Sequence, residues 1–190
     1  MSVIVIQFIT LDGFVSDPDG SDGTPGGGWA FRHGREAVDG DKFGLGAVLE
    51  AGTLLFGRRT WERFAALWPP RDTPFAQRMN AARKLVVSRT LTDVSAWSGS
   101  RLVEGDLLAA VKDAPGDVIV VGSVSVVRAL QAADAVDEYR LLTMPTVVGA
   151  GERLFADGFP VTHLATTSVE PVGPGFLAVY GRESQDSSRG

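Results

Sequence analysis

Cysteine is absent from this 190-residue chain. Its absence excludes a disulfide, a thiolate nucleophile and any cysteine-ligated zinc or iron–sulfur centre. Histidine occurs twice, at His33 and His163. The two are far apart and form no ligand motif, so a metal would have to be held by carboxylates, and none is expected. No apolar run approaches the ~20 residues that span a bilayer. The first residues, Met1-Ser2-Val3-Ile4-Val5-Ile6, lack the basic start and small-residue cleavage site of a signal peptide. A cytoplasmic protein without a membrane partner is therefore expected. Positive charge is also in short supply, with 18 Lys and Arg against 23 Asp and Glu and a net charge of −5. That balance disfavours nucleic acid and anionic lipid, both polyanions. It leaves room for a phosphorylated small molecule, which needs only a local cluster of arginines.

What is present describes an ordinary globular chain, 44% apolar and 22% charged. No repeat or linker divides it, so one domain is expected over residues 1–183, with a disordered polar tail at 184–190. Residues 3–9 are apolar on both faces and β-branched, a buried central strand. Residues 16–28 follow, with five glycines, two prolines and three aspartates. Such a stretch is either an inert surface loop or a mobile lid. Trp29 and Phe31 stand directly after it as apolar anchors. Periodicity predicts a helix over 41–51 with Asp39 or Asp41 as its cap. It also predicts a strand over 53–57, then a short helix capped by Thr60 and ended by Pro69-Pro70. Thr73-Pro74 opens another helix. Strands are read at 84–88, 101–103 and 117–122, with helices over 106–114 and 123–133. Three final strands are read at 138–144, 161–169 and 176–182, the last two joined through Gly173-Pro174-Gly175. The pattern is α/β: a mixed sheet of about eight strands, covered by helices on both sides.

In open α/β sheets ligands bind at the carboxyl ends of strands. Three such junctions carry unusual residues. Gly57-Arg58-Arg59-Thr60-Trp61-Glu62 combines a glycine, two fork-shaped cations and a helix start. Arginines at that end oppose the helix dipole and so need another reason, although an exposed turn with solvated arginines explains them too. Ser88 and Arg89 leave a buried strand together and could hold a phosphate or a ribose hydroxyl, or simply end the strand. Val121-Gly122-Ser123-Val124-Ser125 runs from strand into helix in a way that can cradle a pyrophosphate on backbone amides, or make a tight turn with a Ser123 cap. It is neither the Gly-x-Gly-x-x-Gly fingerprint nor a P-loop. All three junctions suit phosphate, and Arg58, Arg59 and Arg89 exceed the needs of a lone pyrophosphate. The cofactor expected is NADPH rather than NADH.

The order Thr10-Leu11-Asp12-Gly13, Gly57-Arg58-Arg59-Thr60-Trp61-Glu62, Ser88-Arg89-Thr90 and Gly122-Ser123 resembles the dihydrofolate-reductase-like superfamily. The branch most similar is the bacterial riboflavin-biosynthesis reductase domain. Val136-Asp137-Glu138-Tyr139-Arg140-Leu141 and the run from Pro145 through Gly149-Ala150-Gly151 to Phe155 resemble that branch's strand and loop. The resemblance implies a three-layer fold in which Gly57, Arg58, Arg59 and Thr60 contact phosphates. Ser88 and Arg89 would face the 2′-phosphate; Val121, Gly122, Ser123, Val124 and Ser125 would meet the pyrophosphate. Leu11, Asp12 and Gly13 would flank the nicotinamide. Thr143 falls where folate reductases place a pocket-lining threonine, and Trp29 would roof the substrate. Folate reductases put two adjacent glycines where this chain has Gly122-Ser123. Their single acidic residue after the mobile loop has two competitors here, Asp41 and Asp39, with water a third route for the proton. A carboxyl in that role needs a raised pKa to act as an acid near neutrality.

The function expected is hydride transfer from NADPH to a C=N or C=O carbon of a small pterin-like, pyrimidine-like or ribityl substrate. The alternatives are true folate reduction and a non-catalytic NADPH-binding dimer. A homodimer is expected. The 145–155 segment could pair two subunits or turn internally.

Overall fold

The computed structural model describes residues 1–183, and the tail expected at 184–190 lies outside the described residues. Eight strands form one mixed sheet: β1 (Val3–Thr10), β2 (Thr53–Gly57), β3 (Arg83–Val87), β4 (Ser100–Leu102), β5 (Val118–Gly122), β6 (Glu138–Met144), β7 (Leu164–Val172) and β8 (Gly175–Arg182). Their order is β4-β3-β2-β5-β1-β6-β8-β7. The helices are α1 (Gly46–Ala51), α2 (Arg58–Leu67), α3 (Pro74–Ala81), α4 (Leu107–Lys112) and α5 (Val124–Ala132). The result is the expected three-layer α/β fold, a mixed sheet with helices on both faces. Within it the described chain clusters into two compact units, one of residues 1–6 and 44–136, the other of residues 7–43 and 137–183.

The first unit is entirely parallel. β2 pairs with β3 and β5, β3 with β4, and the start of β1 with β5. Parallel strands covered on both faces have no polar side, which is why Val3-Ile4-Val5, Leu54-Leu55-Phe56 and Val118-Ile119-Val120 are continuous apolar runs and fully buried. Helices make most of the crossings, but β3 reaches β4 without one. That crossing is held instead by Trp97 and Lys84. Trp97 packs on Phe56 at 5.6 Å between ring centroids and donates its indole N–H to Asn80 Oδ1 at 2.8 Å. Lys84 is 1% exposed, and its ammonium donates to the carbonyls of Asn80, Ala82 and Ser98 at 3.0, 2.7 and 2.9 Å. It also lies 4.3 Å from the Trp97 ring centroid.

The second unit is antiparallel. β8 lies between β6 and β7, and a two-residue turn at Gly173-Pro174 sets the β7–β8 register from Val172↔Gly175. β7 consequently runs from Leu164 through Val172 rather than over the expected 161–169.

Two helix starts differ from expectation. Instead of covering 41–51, the first helix is only α1, and neither Asp39 nor Asp41 caps it. Its first-flanking residue is Leu45, which makes no side-chain capping bond. Gly40, Gly44 and Gly46 take φ of +83°, +60° and +45°, left-handed values that interrupt a helix. Phe43, Leu45 and Leu49 are buried all the same, so the apolar spacing reported burial and not helical backbone. Thr60 does not cap α2 either: Gly57 takes that position in extended conformation and the helix begins at Arg58.

Candidate functional site

Strand order gathers the three junctions. β3, β2 and β5 are adjacent and parallel, with Gly57 opposite Val87 and Phe56 opposite Gly122, so Gly57, Ser88 and Ser123 end neighbouring strands at one sheet edge. The junctions are interlocked by the missing side chains of two glycines. A Cβ on Gly57 would strike the Ser123 hydroxyl, and one on Gly122 would lie 3.1 Å from Thr60 Oγ1. The Gly122–Ser123 peptide is cis.

α2 and α5 both start from extended residues, Gly57 and Ser123, and neither receives a side-chain capping bond. In α5 the Val126 N–H donates to the Ser123 carbonyl at 3.0 Å, and no side chain caps the first amides of either helix, an arrangement that suits an anion. The hydroxyls of Ser123 and Ser125 lie 2.8 Å apart beside them. Val124 is half-buried between the two, and Val121 contributes through its backbone place in β5.

The three arginines are not equivalent. Arg58 is bound to Glu62 one turn on, with Nη1 3.2 Å from Oε2. Arg59 and Arg89 are exposed, and neither has an ion-pair or hydrogen-bond partner among the described residues. Ser88 Oγ accepts from the amides of Thr90 and Leu91 at 3.1 and 2.9 Å, which fixes the backbone on both sides of Arg89. Its own hydroxyl proton stays available to a ligand.

In the second unit the Leu11-Asp12-Gly13 turn is tied to the 145–155 segment. Leu11 N–H donates to the Thr146 carbonyl at 2.9 Å, and Leu154 N–H to the Gly13 carbonyl at 3.2 Å. The Asp12 carboxylate accepts from Thr10 Oγ1 at 2.6 Å, from Gly149 N at 2.8 Å and from Val148 N at 3.2 Å. The Thr10 hydroxyl above all, and then these amides, hold the Asp12 carboxyl below the usual carboxylate range. Asp12 therefore faces donors of its own chain. Of the two roles open to the 145–155 segment, the structure shows the internal turn.

The glycine-rich loop is built around a buried aspartate. Asp17, 3% exposed, takes hydrogen bonds from Asp22 N, Thr24 N and Thr24 Oγ1 at 2.9, 2.9 and 2.7 Å. Trp29 is 2% exposed and gives its indole N–H to the Ser16 carbonyl at 2.9 Å. It is tied to the start of the loop and buried. Asp39 is exposed and Asp41 half-buried, both in the irregular chain before α1. Thr143 is half-buried one residue before the end of β6, opposite Phe176 of β8. A Cβ on Gly175 would collide with the Thr143 carbonyl, so the strand end is closely packed.

Sequence reasoning missed the Thr10 hydroxyl, the amides of Val148 and Gly149 and the contact of His33 Nε2 with Thr146 Oγ1 at 3.3 Å. The signal available was the Thr-x-Asp-Gly turn, whose polar side chains had no stated partner. Among the described residues no group of three or more acidic or histidine side chains could hold a metal, and no helix is long and apolar enough to cross a membrane.

The model of the RibD C-terminal domain family matches residues 1–178. An uncharacterized protein of Bacillus subtilis, YyaP, is 25% identical over 164 residues, covering 82% of this chain and 80% of that protein. Among solved structures, a candidate riboflavin biosynthesis protein from Shewanella sp. PV-4 superposes with a TM-score of 0.70 at 22% identity, over 97% of this chain and 100% of the other. A pyrimidine reductase-like protein from Corynebacterium diphtheriae gives 0.62 at 12% identity, over 97% and 92%. The junctions, the sheet order and the family match agree: the chain belongs to the RibD C-terminal domain family, a dihydrofolate-reductase-like branch, and that membership supports an NADPH-dependent oxidoreductase acting on a small heterocyclic or ribityl substrate.

Proposed function

We propose that this protein reduces a C=N or C=O carbon of a pyrimidine-like, pterin-like or ribityl substrate with NADPH, as a cytoplasmic homodimer. The observation that carries the cofactor half is the gathering, at the ends of three adjacent parallel strands, of two helix starts without a side-chain cap and two arginines, Arg59 and Arg89, unpaired among the described residues. The donor set fits the group: amides of the first turns of α2 and α5 with Thr60, Ser123 and Ser125 for the pyrophosphate, and Ser88, Arg89 and Arg59 for a 2′-phosphate. Gly57 and Gly122 make room for the hydroxyls of Ser123 and Thr60 among these donors. NADPH supplies the hydride when bound, and the protein supplies position and charge. In this reading the Leu11-Asp12-Gly13 turn flanks the nicotinamide, Thr143 borders the substrate, and Asp41, with Asp39 behind it, gives the proton to the reduced atom. We assign pairing of two copies to the β7–β8 hairpin, where Val169 and Phe176 stay exposed. A single-chain mass in sedimentation would remove the dimer from the reading.

Calorimetry with NADPH and NADH tests the cofactor. NADPH is expected to bind tighter by about tenfold or more, the worth of one charge-assisted contact. Arg59→Ala and Arg89→Ala should each remove most of that preference while leaving NADH nearly untouched. Arg58→Ala should affect it less, because Glu62 already shares that charge. Equal affinity for the two nucleotides, or equal losses in the variants, would overturn the 2′-phosphate assignment. Oxidation of bound NADPH, followed at the nicotinamide band with pyrimidine and pterin substrates, then tests turnover.

A further inference from the structure

We propose that Lys84 is a positioning residue, whose buried ammonium fastens the β3–β4 crossing and so holds Arg89 and the start of α2 in the geometry that selects a 2′-phosphate. This rests on the NADPH reading above, and every residue in it lies in the first compact unit. Three carbonyls take the three N–H bonds of the one ammonium: Asn80 in α3, Ala82 just after it and Ser98 just before β4. Among the described residues no carboxylate pairs with that charge. A methionine would fill nearly the same volume without burying a charge. What the ammonium adds is a connection, from the end of α3 to the far end of the crossing.

The crossing has little else to hold it. Of residues 88–99 only Trp97 is buried, and its ring is the one that faces the Lys84 ammonium. The bonds of Ser88 with Thr90 and Leu91, and of Asp93 with Ser95, are local to the segment. Gly99, at φ +73°, passes so near α3 that a Cβ there would lie 2.9 Å from the Ala82 carbonyl oxygen that Lys84 uses. Arg89 begins this segment and Ser98 nearly ends it. Pinning Ser98 closes the loop and narrows the conformations open to Arg89.

The same fastening reaches α2 at both ends. Ser100 pairs with Lys84 in the β3–β4 register and accepts the indole N–H of Trp61 at 3.0 Å. Trp61 is 4% exposed and shares the first turn of α2 with Arg59. Asn80 accepts from the Trp97 indole at 2.8 Å and donates Nδ2–H to the carbonyl of Trp68, which ends α2, at 3.1 Å. Arg59 and Arg89 therefore stand on two elements that meet at one buried ammonium. A phosphate gripped by both arginines at once needs those elements held at a fixed spacing.

The test is Lys84→Met, which keeps an apolar stem and removes the ammonium. Hydrogen exchange of segment 88–99 and calorimetry with NADPH and NADH compare it with wild type. Exchange in the segment is expected to quicken. The preference for NADPH over NADH should fall by about fivefold or more, with NADH affinity held within about twofold. Trp61→Phe, which removes the bond to Ser100, should lower the preference in the same direction less, and decides the matter if Lys84→Met does not fold. Wild-type exchange or wild-type preference in the folded variant overturns the proposal. So does an equal loss for both nucleotides, which would make Lys84 a general support of the fold. A wild-type protein that shows no preference for NADPH would instead strike the NADPH reading itself.

Discussion

Gly57 shows how one missing methyl group organises the strand-end junctions. Its φ of −81° is open to any residue, so backbone freedom is not the reason for glycine there. The reason is Ser123, whose side chain occupies the place a Cβ would take. Gly57→Ala is therefore expected to lower stability by ~1–3 kcal/mol through overpacking and to weaken NADPH. Adding Ser123→Gly should recover part of that loss, because Ser123 makes no capping bond that the change would remove. Urea unfolding of the two single variants and the double variant measures the coupling; strictly additive losses would show that the contact is not what demands glycine. Arg58 and Arg59 carry a similar lesson: adjacent and identical in sequence, they differ because only Arg58 has Glu62 one helical turn away.

At the scale of elements, residues 16–28 are a loop with its own centre. Composition shows only that they cannot pack a hydrophobic core. A buried Asp17, with a φ of +51°, gathers Asp22 and Thr24 around its carboxylate, and Gly27 sits so close that a Cβ there would strike it. Asp17→Ala leaves those donors without their acceptor and is expected to cost ~1–3 kcal/mol. It should also speed proteolytic cleavage within 18–28, while Asp17→Asn, which tolerates the left-handed backbone, should be intermediate. Cleavage of the alanine variant at the wild-type rate would show that the carboxylate does not organise the loop. The helix forecast over 41–51 failed for the converse reason. Its apolar spacing was correct for burial, but three left-handed glycines direct the backbone into turns until Gly46.

For the molecule as a whole, Lys84 ties folding to pH. Burial pushes its ammonium down to about 8, against 10.5 for a free lysine. A lowered lysine pKa means that the charged form is disfavoured in the folded chain. Between those two values the unfolded chain holds a proton that the folded chain has released, so stability rises with pH across that window. Below about 8 both states are protonated and the cost of burying the charge is borne in full. Relative to Lys84→Met, wild-type stability is expected to climb by up to ~3 kcal/mol from pH 8 to 10.5, read by denaturant unfolding. A difference that falls over that range would show that the three carbonyls and the Trp97 ring hold the charged form more firmly than burial opposes it.

The sequence by itself determined the fold class and most of the strands, and it singled out the residues that end them. Parallel strands buried on both faces write themselves as unbroken apolar runs, as at Val118-Ile119-Val120, and the residues that end them stand out by contrast. Tertiary structure decided which polar groups were already taken. Nothing in the sequence shows that Asp12 takes amides far along the chain, or that Glu62 rather than solvent holds Arg58. Arg59 and Arg89 were left without partners among the described residues. Hydrogen bonding and ion pairing act over about 3–4 Å in space, whatever the separation along the chain. Residue type therefore announces the chemistry available at a position, and only the packing of distant segments settles whether that chemistry remains free for a ligand.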